Sequence, residues 1–93
     1  MEPKQEIETQ RQEIDRIDDA IVDLLVRRAR CAVEIGRAKR RTGSPVRDPA
    51  REATVLARLK ERARGQIDGR ALEAVFERIM EMSRSLEEED ARR

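Results

Sequence analysis

Apolar residues recur along the N-terminal part of the chain at Ile7, Ile14, Ile17, Ile21, Leu24, Leu25, Ala32 and Ile35. Steps of three, four and seven are the period of a helix, not of a strand. Between about Lys4 and Arg41 the only Gly or Pro is Gly36, and good helix formers dominate. The pattern predicts a first helix over about residues 4–41, roughly 50 Å long at about 1.5 Å per residue. No globule of this size can wrap a helix of that length, so much of it must find its partner surface on another chain. Thr42-Gly43-Ser44-Pro45 supplies the stop: Gly43 can take the left-handed cap, and Pro45 blocks continuation.

A second helix is predicted over 49–64. Asp48 serves as N-cap, Pro49 as first helical residue and Val55, Leu56 and Leu59 as apolar stripe, with an end near Gly65. A third, over 69–88, opens at Asp68, with Ile67 and Leu72 spaced as a hydrophobic staple. Its stripe is Leu72, Val75, Phe76, Ile79, Met80 and Leu86. The acidic run Glu87 to Asp90 and the closing Arg92-Arg93 read as a fraying, solvated tail. The expectation is a single all-α domain over 1–93, three helices with the first much the longest.

Composition narrows the function. The chain has 93 residues, 44% of them charged, yet 21 Lys+Arg and 20 Asp+Glu nearly cancel to +1. A domain this small usually buries only about 60% of its unfolded surface, which again favours an oligomer. There is no His, and Cys31 is the only cysteine, so His/Cys metal sites, His-based triads and intrachain disulfides are excluded. The balanced charge argues against nucleic acid as a partner. No apolar run approaches the roughly 18 residues that span a bilayer, and Met1 to Arg11 lacks a signal-peptide core. The expectation is a cytoplasmic chain with no membrane partner.

The informative residues are charges that break the apolar pattern. Arg11, Arg28 and Lys39 fall on or beside the stripe of the first helix. Arg51 and Glu52 precede Val55 and Leu56 by four, and Ser83 and Glu87 continue the line from Ile79. An unpaired buried charge is costly, so each needs an anion or must snorkel to water. Taken singly, each is more ordinary as a snorkelling side chain or a salt bridge between subunits. Taken together they outline a polar cavity for a small, multiply anionic ligand, with guanidinium forks suited to carboxylates. Asp18 reads as an interhelical pair, Asp48 as a cap, Cys31 as a packing residue, and Arg37, Lys39, Arg40 and Arg41 as a solvated face. Pattern alone reaches a helical oligomer with an anion-binding pocket.

Ordered segments carry a more specific likeness. They are Arg11-x-x-Ile14, Ile17-Asp18, Leu24-Leu25-x-x-Arg28, Val33-Glu34-Ile35-Gly36-x-x-Lys39, Pro45-Val46-x-Asp48-Pro49-x-Arg51-Glu52 and Ile79-x-x-x-Ser83-x-x-x-Glu87. In this order and spacing the chain resembles the small all-helical chorismate mutases over nearly its whole length. The resemblance implies an intertwined helical homodimer with two equivalent sites, each borrowing Arg11 across the interface. It implies chorismate, a dicarboxylate, as substrate, rearranged to prephenate on the way to phenylalanine and tyrosine, with no cofactor and no metal.

Under the same resemblance, Arg28 and Arg11 would clamp the two carboxylates, and Lys39 would contact the ether oxygen. Glu52 would accept from the ring hydroxyl, Asp48, Arg51 and Ser83 would complete the polar lining, and Ile35, Val55 and Met80 would form apolar walls. The family's second donor to the ether oxygen is commonly Gln, and here it is Glu87, which must be protonated to donate. Burial would help that and Lys39 would oppose it. Arg84 stands where an apolar wall residue is expected. The alternatives are an isochorismate-pyruvate lyase on the same fold, from which the intact Asp48-x-x-Arg51-Glu52 segment departs, and a non-catalytic helical dimerisation or regulatory module. Related mutases also imply a possible complex with another shikimate-pathway enzyme.

Overall fold

The computed structural model describes residues 2–93 as three helices, α1 (Pro3–Thr42), α2 (Pro49–Arg62) and α3 (Gly69–Ala91), with no strand among the described residues. Each end has a local cause. Gly43 adopts φ 73°, and its N–H bonds back to the Lys39 carbonyl. The same oxygen accepts from Ser44 N at 3.0 Å and Thr42 Oγ1 at 3.1 Å. Lys39, Arg40 and Arg41 occupy the last turn of α1, where cations face the negative end of the helix dipole. Asp48 Oδ1 accepts from Arg51 N at 3.0 Å to open α2, and Asp68 Oδ2 accepts from Ala71 N at 3.0 Å to open α3.

Two boundaries differ from the sequence reading. α2 stops at Arg62, because Ala63 accepts from both Gln66 N and Ile67 N in a turn around the left-handed Gly65. α3 runs on to Ala91, so the acidic run is not a fraying tail. Asp90 is held there by Arg37, at 3.0 and 2.8 Å, and by Arg40 at 3.0 Å, all reaching from α1. These bonds also break up the supposed solvated face, since two of its four cations are tied to α3.

α3 lies in the middle, packed against α1 on one side and α2 on the other, while α1 and α2 do not pack together. The molecule measures 60 × 30 × 14 Å, so it is one helix thick. A single layer cannot enclose a core. Val55 and Met80 are the only buried apolar side chains among the described residues. Every residue from Glu2 to Leu24 is exposed, including Ile7, Ile14, Ile17 and Ile21. About 33 Å of α1 thus projects beyond the other two helices. Among the described residues no helix is long and apolar enough to cross a membrane.

Candidate functional site

Because α1 and α2 flank α3 without packing against each other, a gap is left between them, and α3 forms its floor. The gap is a cavity of about 260 Å³. α1 contributes Arg28, Ile35 and Lys39, α2 and its cap contribute Asp48, Arg51, Glu52 and Val55, and α3 contributes Met80, Ser83 and Glu87. All ten were candidate residues in the sequence. The remaining candidate, Arg11, is not in this cavity. It lies 17 residues before Arg28 on one continuous helix, about 25 Å along the axis. Its own chain cannot bend it back to the site.

The floor is tied down by hydrogen bonds. Ser83 is buried, donates its hydroxyl to the Ile79 carbonyl at 3.1 Å, and accepts from Arg28 Nη1 at 2.9 Å. That bond fixes one edge of the Arg28 guanidinium and leaves its other N–H groups for a ligand. Lys39 Nζ donates to the Val46 carbonyl at 2.9 Å, and both residues line the cavity. Asp48 has two positions at once: it caps α2 and it lines the cavity. Val55 and Met80, 8% and 6% exposed, form an apolar wall, whereas Ile35 remains about half exposed.

Glu87 lies across Gly36. A Cβ added to Gly36 would sit 3.3 Å from Glu87 Cγ, so glycine is what admits the carboxylate here. Burial pushes the Glu87 carboxyl above the ordinary range, and Lys39, Arg40 and Arg84 pull it down without cancelling that effect. The Glu87 side chain makes no hydrogen bond and no ion pair among the described residues.

Other cavity residues were not assigned a role by the sequence. Arg47 comes from the loop before α2, where no periodicity marks which side chains turn inward, and its Nη2 is 3.8 Å from Glu52 Oε1. Arg84 was visible only as a misfit on an apolar face; its Nη1 donates to Glu52 Oε2. Cys31, read as a packing residue, is exposed and borders the cavity. The assembled site has more cations than carboxylates, one apolar wall and no nucleophile paired with a base. Such a lining suits a compact polyanion held in a fixed conformation.

Comparison with known proteins gives this site a context. The model of the chorismate mutase type II family matches residues 10–88. The T-protein of Enterobacter agglomerans is 38% identical over 79 residues, covering 84% of this chain. The chain spans only 21% of that relative's length. Among solved structures, form II of chorismate mutase from Thermus thermophilus matches with a TM-score of 0.86 and 36% identity, covering 89% of this chain and 94% of that one. Chorismate mutase from Helicobacter pylori in complex with prephenate matches with a TM-score of 0.84 and 31% identity, covering 92% and 93%.

Proposed function

The chain belongs to the chorismate mutase type II family, and from that premise we propose that its cavity converts chorismate to prephenate. The observation that carries this reading is the convergence of Arg28, Lys39, Arg51, Glu52, Ser83 and Glu87, from all three helices, on one cavity. The reaction is an intramolecular Claisen rearrangement. The ether C–O bond breaks while a C–C bond forms, and no proton, electron or group leaves the molecule. Catalysis then consists of holding the enolpyruvyl arm over the ring and stabilising charge that grows on the ether oxygen.

Each residue has a task that its geometry suits. Arg28, steadied by Ser83, presents its free N–H groups to a carboxylate. Lys39 has three donors; one is held by Val46 and the others can reach the ether oxygen. Glu87, protonated, donates to the same oxygen. Glu52 accepts from the ring hydroxyl, Asp48 and Arg51 extend the polar lining, and Ile35, Val55 and Met80 press on the apolar face of the ring. No cofactor takes part.

The second carboxylate falls to the partner's Arg11, which makes the active species an intertwined homodimer. Three features support a second copy as the missing half: the one-layer fold, the exposed stripe from Ile7 to Leu24, and the placement of Arg11 about 25 Å from its own cavity. A groove of about 520 Å³ between α1 and α3, lined by Val26, Ala29, Val33 and Leu86 together with charged residues of both helices, adjoins that uncovered surface. An exposed thiol at Cys31 fits a reducing, cytoplasmic setting.

Incubating the purified chain with chorismate and identifying the product tests this reading. Prephenate is the expected product. Release of pyruvate would instead identify a lyase, and no turnover by a folded dimer would identify a binding module.

A further inference from the structure

Three cations surround Glu87, and each is held by a different acceptor. From α1, Lys39 Nζ is on the Val46 carbonyl at 2.9 Å, and Arg40 Nη2 is on Asp90 Oδ2 at 3.0 Å. From α3 itself, Arg84 Nη1 is on Glu52 Oε2. Arg84 is the telling one. It stands three residues before Glu87 on the same helix, a spacing at which an arginine and a glutamate ordinarily pair. Here the guanidinium reaches across to α2 instead, and Glu87 has no ion pair among the described residues.

We propose that Arg84 is a positioning residue: its capture by Glu52 keeps it from pairing directly with Glu87, leaves only a weaker pull across space, and so lets Glu87 keep the proton it must donate. This rests on the mutase reading for the donor role, but the pairing itself does not depend on it. One ion pair would then set two carboxylates to opposite tasks. Glu52, held by Arg84, is turned to accept, and Glu87 is left to donate. An apolar residue at position 84 would leave Glu87 neutral as well but would no longer orient Glu52.

The other charges facing Glu87 leave this logic intact. Glu88 on α3 favours the neutral form, and Lys39 and Arg40 on α1 disfavour it. Arg28 is steered by its bond to Ser83, and Arg47 from the loop before α2 faces Glu52. In the proposed dimer, the partner's Arg11 adds positive charge at the far side of the substrate. Among the cations named here, Arg84 alone faces both carboxylates.

The test is a carboxyl ¹³C titration of the full chain, with the Glu87 signal assigned by its loss in Glu87→Gln. In Glu52→Gln, Arg84 is released toward Glu87, and the Glu87 midpoint should fall by roughly half to one pH unit. In Arg84→Leu it should rise, Arg84→Lys should bring it partly back, and adding Glu52→Gln to Arg84→Leu should no longer lower it. A Glu52→Gln midpoint that stays or rises, or that falls equally in the Arg84→Leu background, would overturn the proposal. Circular dichroism confirms that each variant remains helical. The alkaline limb of prephenate formation should follow the same order. If wild-type protein forms no prephenate, the mutase reading fails, and the carboxyl titration still decides the role of Arg84.

Discussion

Replacing Gly36 by alanine should separate stability from activity. Gly36 is the buried residue of α1, and glycine inside a helix costs about 0.5–1 kcal/mol relative to alanine. Against this gain stands one contact. The new methyl would lie 3.3 Å from Glu87 Cγ and 3.5 Å from its Cβ and Cδ. Carbon atoms prefer about 3.5–4.0 Å, so the overlap is a few tenths of an ångström. Glu87 is only partly buried and makes no hydrogen bond that would resist a small rotation. The helix gain should therefore survive, raising the melting temperature by a few degrees at fixed protein concentration.

Activity should move the other way. Removing an oxyanion-type donor outright costs about 10²–10³ in rate, and displacing one by a few tenths of an ångström should cost about tenfold in kcat. The assays are a thermal melt followed by circular dichroism and the initial rate of chorismate loss at saturating substrate. Full kcat in a stabilised variant would refute the placement of Glu87 as a donor held by Gly36. A lowered melting temperature would refute the claim that rotation of Glu87 relieves the contact.

The remaining predictions concern the dimer, the pH profile and the end of the chain. Arg11→Ala and Arg28→Ala should each be nearly inactive alone, but a refolded equal mixture should recover about a quarter of wild-type activity, because half the dimers carry one intact site. Recovery near zero would show that Arg11 does not act across an interface. Glu87→Gln should abolish the loss of activity on the alkaline side; an unchanged limb in the pH–rate profile would refute its titration. The same variant bears on stability. With a folded pKa above its ordinary value, Glu87 contributes stability that is present at low pH and lost as pH rises through the raised pKa. Glu87→Gln should accordingly have the higher denaturation midpoint at pH 8, with the difference gone near pH 4. Asp90→Asn should fray the last turn of α3, read as faster amide exchange over residues 87–91 with little change in α2.

Much of the molecule was settled by local rules. Helical period, the Asp48 and Asp68 caps and the left-handed Gly43 depend on residues a few positions apart, so three helices and their starts could be read directly. The residues that line the candidate site were legible for a related reason. A cation or carboxylate on an apolar stripe has to be accounted for, and Arg28, Lys39, Arg51, Glu52, Ser83 and Glu87 each broke a stripe. What the sequence did not contain was the choice of partner. Arg84 could have paired with Glu87 one turn away, yet it bonds Glu52, 32 positions earlier and on another helix. The acidic end of α3 looked solvated because the partners of Asp90, Arg37 and Arg40, lie 53 and 50 positions away. A charged side chain carries no periodic mark of its partner. Only the packing of α3 between two helices that do not pack against each other decides which cations meet which anions, and that packing is what opens the cavity between them.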